Sequence, residues 1–331
     1  MLDVGATAMI VTASSDSARN HPAIANRLCT ESSPGVPLFF IGSSPSLASK
    51  IISPDYPATG VMISVNALRS RISDFEVGDW IIDSGAFTEI STYGYYRYPV
   101  EEHFGQIVRW VKCGNLVIAV AQDWMCESFV LKRTGLDIAT HQRLTIERYD
   151  QLISLDPPMS IMPVLQGYRS SDYISHLQQY GDRLQLDSWV GVGSVCRRNG
   201  KPDEVADLLR GIKLLRPDLR LHGFGLKMLA LENAEVRKLL HSCDSMAWSY
   251  PRKFQPNPEP EIPMAHNYQQ RIHAAVTDSV QKRVSATAGA GNGQGRKPKW
   301  SHPTEPVRLP VKFKNGKSLE DLKAIAKEWD K

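Results

Sequence analysis

Residues 80–87 read Trp80-Ile81-Ile82-Asp83-Ser84-Gly85-Ala86-Phe87, and this stretch decides the fold. Its apolar half has the length of a strand and ends abruptly in an acid, a hydroxyl and a glycine. This pattern predicts a buried strand that carries a carboxylate at its carboxyl end. The same construction recurs at residues 115–121, 159–165, 189–192, 221–224 and 242–248. Two earlier apolar runs, residues 38–42 and 61–66, raise the predicted number of strands to eight.

Helical patterns lie between these runs, at residues 99–113, 135–155, 202–215 and 229–241. A parallel barrel requires this alternation, and eight strands suit its closure. We therefore predict an α/β fold, a (β/α)8 TIM-type barrel with a basic, partly flexible C-terminal extension. The active site of such a barrel lies at the carboxyl ends of its strands. Asp83 and Asp244, on two of those ends, are thus predicted to form one catalytic pair.

The predicted domain organisation follows changes in composition along the chain. It comprises an N-terminal lead-in (1–36), the barrel (37–253), a proline-rich connection with a helix at 267–284 that completes the barrel (254–284), a flexible linker (285–306) and a short strand and helix tail (307–331). The linker is predicted from its Gly-, Ala- and Ser-rich composition.

Charge and cysteine content limit the partners and the compartment. The net charge is +4, but residues 251–331 hold 15 Lys and Arg against 8 Asp and Glu, so the basic excess lies where a polyanion could be held. The five cysteines show no Cys-x-x-Cys spacing, which favours a reducing compartment. The first residues are not typical of a secretory signal, and no apolar run reaches the length of a membrane helix. We predict a protein of the bacterial, or phage-infected host, cytoplasm with no membrane partner.

The motifs at the strand ends resemble those of a known superfamily. Six of them occur in its order and approximate spacing between about residues 60 and 253: Asp-Ser-Gly-Ala-Phe at 83–87, Val-Ala-Gln-Asp at 120–123, Val-Leu-Gln-Gly at 164–167, Val-Gly-Val-Gly at 190–193, Leu-His-Gly-Phe-Gly at 221–225 and Cys-Asp at 243–244. The chain thereby resembles the tRNA-guanine transglycosylases. The resemblance implies a pentosyltransferase that breaks the N-glycosidic bond of a guanine and installs another base.

Such an exchange passes through a transition state with oxocarbenium character, which retaining glycosidases handle with two carboxylates. By resemblance, Asp244 is the nucleophile that holds the sugar covalently, and Asp83 is the general acid and base. The alternative interpretations are a surface acid at residue 244 and, at residue 83, a turn acid bonded to its own backbone.

A guanine site also needs groups that read the edge of the base and groups that cover its faces. Carboxylates accept from N1–H and N2–H of guanine, and an amide reaches O6 or N7. By resemblance, the predicted base-binding residues are Asp123, Gln166, Gly167, Gly193, Phe87 and His222. The glycines would let the backbone approach the base, whereas Phe87 and His222 would cover its two faces. For these two residues, ordinary core packing is the alternative interpretation.

Departures from the superfamily pattern point to one of its branches. No cysteine follows Cys243, so the thiolates of a zinc site are missing and we predict no metal or other cofactor. Residues 247–253, Ala-Trp-Ser-Tyr-Pro-Arg-Lys, lack the usual Leu-Pro-Thr-Arg. In both respects the chain resembles the zinc-less DpdA-type DNA-guanine transglycosylases, which exchange guanine in DNA for a 7-deazaguanine such as preQ0.

The implied partners are DNA and a free 7-deazaguanine base, and a homodimer remains open. A base in duplex DNA must leave the stack before its sugar carbon is accessible. Four cations near strand ends are the predicted phosphate contacts, namely Arg197, Arg198, Arg252 and Lys253, with a solvated basic surface as the alternative. Competing functions are the same exchange on tRNA with a queuine- or preQ1-type base, a catalytically inert nucleic-acid-binding protein, and a barrel glycosidase acting on carbohydrate.

Overall fold

The structure is a computed structural model that describes residues 36–53, 55–56, 59–257 and 259–288. The predicted lead-in up to residue 35, the predicted linker beyond residue 288 and the whole predicted tail at 307–331 lie outside the described residues. No helix in the described part of the chain is long and apolar enough to cross a membrane.

Nine parallel strands form one sheet that curls into a barrel. They are β1 (Leu38–Gly42), β2 (Thr59–Ser64), β3 (Asp79–Asp83), β4 (Asn115–Val120), β5 (Ile161–Met162), β6 (Val164–Leu165), β7 (Trp189–Val192), β8 (Arg220–Gly223) and β9 (Ser242–Ser245). The order β5-β4-β3-β2-β1-β9-β8-β7-β6 brings the first and last strands together. Only Pro163 separates β5, which pairs with β4, from β6, which pairs with β7. Because proline has no N–H for the ladder, one predicted strand is split in two. The predicted α/β barrel is confirmed.

Side chains alternate between the barrel interior and the layer of helices, as the period of a strand requires. Phe40, Met62, Ile81 and Val164 belong to the inner apolar cluster. Their neighbours in sequence belong to the larger cluster beneath the helices, for example Phe39, Ile41, Ile63, Trp80 and Ile82. Along β3 and β9 this alternation gives Asp83 and Asp244 the inward positions at the carboxyl end of the barrel.

In the described residues, nine helical segments lie between the strands and a tenth follows the last strand. They are α1 (Val65–Leu68), α2 (Ala86–Thr88), α3 (Val100–Trp110), α4 (Ser128–Thr134), α5 (Ile138–Ser154), α6 (Ser170–Tyr180), α7 (Pro202–Leu215), α8 (Met228–Glu232), α9 (Ala234–Leu239) and α10 (Glu261–Ala288). A π-helical turn, Glu89–Tyr93, continues α2, and 3₁₀ turns occur at Gly181–Arg183, Val195–Arg198 and Ala247–Phe254. Helix α7 has the predicted bounds, whereas α4 and α6 were not predicted.

Two predicted helices are interrupted by local capping. The helix predicted at 135–155 begins only at Ile138, because Gly135 adopts the left-handed conformation that ends α4 and the Asp137 side chain accepts from the Thr140 N–H at 2.8 Å. The helix predicted at 229–241 breaks at Asn233. The side chain of Asn233 accepts from the N–H groups of the second and third residues after it, which starts α9.

The segment after the barrel also differs from the prediction. Strand β9 ends at Ser245 rather than at residue 248, and the Ala247–Phe254 turn follows it. Helix α10 begins at Glu261, within the predicted proline-rich connection, since Pro263 falls in the first turn, where the missing N–H costs no helical bond. The helix also runs four residues into the predicted linker. Its residues Ala265, Tyr268, Ile272 and Val276 join the core beneath the helices.

Candidate active site

Asp83 lies at the end of β3 in a tight turn that depends on glycine. Its Oδ2 accepts from the Gly85 N–H at 3.0 Å. Gly85 has φ of +73°, and a side chain there would also collide with Asn66. Burial, together with the charge of Asp244, raises the pKa of Asp83 to about 6 in spite of the Gly85 hydrogen bond. A carboxyl group with this pKa can give up and take back a proton near neutral pH.

Asp244 is held by two donors on the same oxygen. Its Oδ1 accepts from the Gly225 N–H at 2.9 Å and lies 3.3 Å from Nε2 of His222. Because the charge of Asp244 contributes to the raised pKa of Asp83, the two carboxyl groups share one electrostatic environment. The structure therefore brings the predicted catalytic pair to one end of the barrel, although 161 positions separate the two acids in the sequence.

Asp123 and Gln166 form a polar pair beside these acids. Nε2 of Gln166 donates to Oδ2 of Asp123, and the Ser84 hydroxyl donates to Oδ1 of Asp123 at 3.3 Å. Burial raises the pKa of Asp123 to about 7, and the charges of Asp83 and Glu127 act in the same direction. The two predicted edge-reading residues are thus adjacent, buried and aligned by neutral hydrogen-bond donors.

Gly193 and Gly167 contribute space to this site. A Cβ atom at Gly193 would overlap the Gln166 side chain. The Gly193 N–H donates to the Leu165 carbonyl at 2.9 Å, so in this stretch of backbone, which was predicted to approach the base, the amide is already engaged in the barrel. Gly167 packs closely on Asp172, which accepts hydrogen bonds at the start of α6.

The predicted aromatic covers occupy different depths. Phe87, on α2 just after the Asp83 turn, has 60% of its surface exposed. His222 is fully buried, its ring centroid 4.7 Å from that of Phe224. Phe87 is therefore accessible to a ligand, whereas the ring of His222, the second predicted cover, has no exposed face and contacts Asp244.

The comparison with known families now bears on this arrangement. The family described as DpdA, DeoxyPurine in DNA protein A, matches residues 60–272, more than half of the chain. The chain belongs to the DpdA family. The resemblance predicted from the strand-end motifs is confirmed, and every candidate site residue lies inside the matched region of this DpdA chain. No curated protein matches the sequence.

Helix residues that the sequence motifs did not reveal support the polar pair of this DpdA site. Gln142 on α5 donates to the Gln166 carbonyl at 2.7 Å, and Nδ1 of His176 on α6 accepts from the Gln166 N–H at 2.8 Å. Tyr173 on α6 donates to the Gly193 carbonyl at 2.6 Å. These contacts fix the Gln166 backbone and the neighbouring strand end.

Glu127 is a further acid that sequence reasoning missed. It is only 4% exposed, and burial raises its pKa. Its Oε2 has no hydrogen-bond partner among the described residues. The available signal was its position, four residues after Asp123 in the same strand-end loop.

The predicted phosphate contacts of the DpdA chain have different neighbours. Arg197 lies over the Phe129 ring at 4.6 Å from its centroid, and Nζ of Lys253 is 5.9 Å from that of Tyr250. Arg198 lies over Tyr168 and also donates to the carbonyls of Ser194 and Tyr168. Arg252 faces Glu261 at 3.8 Å and donates to the Glu259 carbonyl. Three of the four cations are thus paired with exposed aromatic rings.

Metal binding is the remaining expectation for the site. In the part of the chain that the structure describes, no group of three or more His, Cys, Asp and Glu side chains is arranged to hold a metal ion. The absence of a cofactor stays a prediction.

Proposed function

We propose that this DpdA-family protein replaces guanine in DNA with a 7-deazaguanine base through a covalent aspartyl-sugar intermediate. The observation that carries the proposal is the pair of carboxyl groups, Asp83 and Asp244, in different environments beside the Asp123–Gln166 pair. Asp244 receives two donors on one oxygen, whereas Asp83 has a pKa raised to about 6. Acids whose environments differ in this way are suited to different roles in one reaction.

In the first half of the exchange, Asp244 attacks C1′ of the deoxyribose. A bond forms between a carboxylate oxygen and C1′, and the bond between C1′ and N9 breaks with its electrons going to the base. Asp83, in its protonated form, gives its proton to the departing guanine and becomes a carboxylate. The products of this step are free guanine and an ester between Asp244 and the sugar.

In the second half, the Asp83 carboxylate takes the N9 proton of the incoming base. N9 then attacks C1′, the ester bond breaks, and Asp244 leaves as a carboxylate. Asp83 ends the cycle protonated, so one group serves in both directions. A pKa near the pH of the cell is the condition for this double role.

The Asp123–Gln166 pair would recognise the base by hydrogen bonds to its edge. An Asp123 carboxylate accepts from N1–H and N2–H of guanine, and the Gln166 amide donates to O6. In the structure these two side chains form a hydrogen bond with each other. A bound base would replace that hydrogen bond with one to each side chain. Exposed Phe87 at the mouth is available to stack on the base.

The rim supports a polynucleotide as the second substrate. Exposed rings with cations beside them, such as Tyr168 with Arg198 and Tyr250 with Lys253, combine stacking surfaces for unpaired bases with charge for phosphates. The family description, which refers to deoxypurines in DNA, favours DNA over tRNA. A guanine flipped out of the duplex would then enter the site.

The test is base exchange with radiolabelled guanine. Purified protein is incubated with labelled guanine and either double-stranded DNA or bulk tRNA, followed by a chase with unlabelled preQ0. We expect label to enter DNA and to be released by the chase. Label in tRNA alone would favour the tRNA alternative. DNA binding without label in either polymer would favour the inert binding protein.

A further inference from the structure

A buried chain of hydrogen bonds runs through the barrel to the nucleophile. Nε1 of Trp189 donates to Oγ of Ser242 at 2.7 Å, and that Oγ lies 2.8 Å from Nδ1 of His222. Nε2 of His222 lies 3.3 Å from Oδ1 of Asp244. Ser242 and His222 are fully buried, and Trp189 is 9% exposed. Of these four residues, the mechanism above uses only Asp244.

Barrel geometry places these residues together. Trp189 begins β7, His222 lies on β8, and Ser242 and Asp244 lie two positions apart on β9. Residues two apart on a strand face the same side. His222 pairs with Ser242 in the sheet register, so its ring spans from Ser242 to Asp244. Three neighbouring strands thus build the chain of contacts from inward positions.

When the His222 ring is neutral, the donor and acceptor roles in this chain fix the position of each hydrogen. A carboxylate only accepts, so Nε2 of His222 carries the proton that faces Asp244. In a neutral ring Nδ1 is then an acceptor, and it takes the Ser242 hydroxyl hydrogen. An indole N–H only donates, so Trp189 supplies the bond that the Ser242 oxygen accepts. The network therefore selects one tautomer of His222.

We propose that His222 is a positioning residue, locked by Ser242 and Trp189 in the Nε2–H tautomer, which fixes Asp244 for attack on the sugar. This inference rests on the proposed function and adds a role for three residues. With the Gly225 N–H, the His222 N–H occupies Oδ1, so Oδ2 becomes the attacking oxygen. The same two donors stabilise the carboxylate when it leaves in the second half-reaction.

This role differs from stacking on the base. The ring of His222 has no exposed surface, and Phe40 and Phe224 lie against it. A stacking residue would act mainly on binding of the base. A positioning residue acts on the rate of sugar transfer and leaves binding of DNA and base unchanged.

The first test reads the tautomer directly and does not depend on activity. Two-dimensional ¹H–¹⁵N spectra of the full chain, labelled on histidine, distinguish Nε2–H, Nδ1–H and doubly protonated rings. The signal of His222 is assigned by its loss in His222→Gln. We expect the neutral Nε2–H pattern, and a mixture of tautomers in Ser242→Ala. An Nδ1–H pattern or a doubly protonated ring in the wild type would overturn the inference even if the protein exchanged no base.

The second test measures exchange in matched variants. His222→Leu is expected to lower kcat by about 100-fold with KM for base and DNA unchanged, since a preorganised donor is removed. His222→Gln places an amide N–H near the Nε2 position and is expected to recover activity to within about 10-fold of the wild type. Ser242→Ala should lie between these two variants.

His103→Leu is the control for removing a buried histidine. His103 is also fully buried, but its Nε2 contacts the Val120 carbonyl at 2.9 Å on the helix side of the barrel. This variant should lose stability and keep kcat. If His222→Leu instead raised KM for the base with kcat unchanged, stacking would replace positioning. If all variants and the wild type were inactive while the tautomer was as expected, the proposed function would fail and the hydrogen-bond chain would stand.

Discussion

Two carboxyl groups six residues apart, half-buried Asp83 and fully buried Glu89, have opposite electrostatic environments. Glu89 is fully buried. Its carboxylate accepts hydrogen bonds from Nη2 of Arg97 at 2.8 Å and from Nε of Arg97 at 3.0 Å, and it lies 3.6 Å from Nη1 of Arg69. Burial alone would raise its pKa, but the hydrogen bonds and charges of the two arginines outweigh burial and lower it. Asp83 has only neutral donors, and burial raises its pKa to about 6.

The difference separates a structural acid, Glu89, from the two acids that we propose to act in catalysis and base binding, Asp83 and Asp123. Glu89 has two cations that compensate its desolvation, so its charge is satisfied before any ligand arrives. Asp83 and Asp123 are surrounded by hydroxyl, amide and backbone donors, and a neighbouring carboxyl group adds repulsion to each. Acids left in this state mark candidate functional sites. The two acids lie on either side of the short helix α2, Asp83 before it and Glu89 after it.

The largest effect is expected at the nucleophile. Asp244→Asn removes the attacking carboxylate, so exchange of labelled guanine into DNA should fall by at least about 10³-fold. The wild type with DNA alone should form a covalent protein–DNA adduct on denaturing gels, and Asp244→Asn should form none. Asp74→Asn is the control, since Asp74 is an exposed partner of Arg109 and Lys112. Exchange that persisted in Asp244→Asn would remove Asp244 from the proposed mechanism.

Most of the strand ends, and the acids on them, could be predicted from the sequence. Strands of a parallel barrel are short apolar runs, and the polar residue after each run lies at the functional end. Asp83, Asp123 and Gln166 were therefore predictable by local pattern together with family motifs. The helix boundaries near Gly135 and Asn233 were less predictable, because the helical pattern of apolar residues continues across the capping residue.

Other parts of the site depend on tertiary contacts that no local pattern contains. Gln142 reaches the Gln166 carbonyl, and Tyr173 the Gly193 carbonyl, only because α5 and α6 pack where they do. The arginines of Glu89 come from residues 69 and 97, on different segments. For His222, the motif indicated proximity to the site, whereas strand alternation, with Leu221 under the helices, was the signal for its inward burial.

The second prediction concerns the structural acid. Glu89→Gln removes the carboxylate that Arg97 contacts, whereas Arg69 keeps its ion pair with Glu102, so the change should cost roughly 2 kcal/mol of unfolding free energy. Exchange per folded molecule should stay at the wild-type level. Urea unfolding at pH 8 measures the first quantity, and labelled-guanine exchange at low temperature measures the second. Full stability in this variant would contradict the assignment of Glu89 as a satisfied structural charge.

The third prediction contrasts the pH dependence of the two acids. The pKa of Asp83 is about 6 in the folded protein against an ordinary 3.8, so the folded state holds its proton longer and loses stability as pH rises from about 4 to 7. Asp83→Asn should therefore be more stable than the wild type at pH 8, by on the order of 1–2 kcal/mol after allowing for partial exposure. This gain in stability should vanish below pH 4. Asp83→Asn should lose base exchange irrespective of pH.

Glu89 should behave with the opposite sign. Its pKa is lowered in the folded protein, so its contribution is present above the unfolded pKa and is lost as pH falls through the folded one. The stability difference between wild type and Glu89→Gln should hence shrink on acidification. Urea unfolding of the three proteins at several pH values tests both signs together. Parallel pH profiles for the Asp83 and Glu89 variants would contradict the comparison.

The smallest effect is expected at Glu127, the buried acid with one unpartnered oxygen. Its carboxyl group is close to Ser194, whose Oγ lies 3.3 Å from Oε1 of Gln166, so it stands at the end of the polar row that begins at Asp123. If the base binds with its O6 at Gln166, as proposed, we expect Glu127 to lie next to the substituent at carbon 7. We expect Glu127→Gln to change exchange of a 7-substituted base about fivefold, the effect of one hydrogen bond of ~1 kcal/mol.

Guanine has no substituent at this position, so its exchange in Glu127→Gln should stay within about twofold of the wild type. Competition between labelled guanine and preQ0 or preQ1 measures the ratio. Glu147→Gln, which changes an exposed acid paired with Arg143, is the matched control. An equal change for all three bases would mean that Glu127 supports Asp123 electrostatically. In that case Glu127 would act on exchange through Asp123 and would not contact the incoming base.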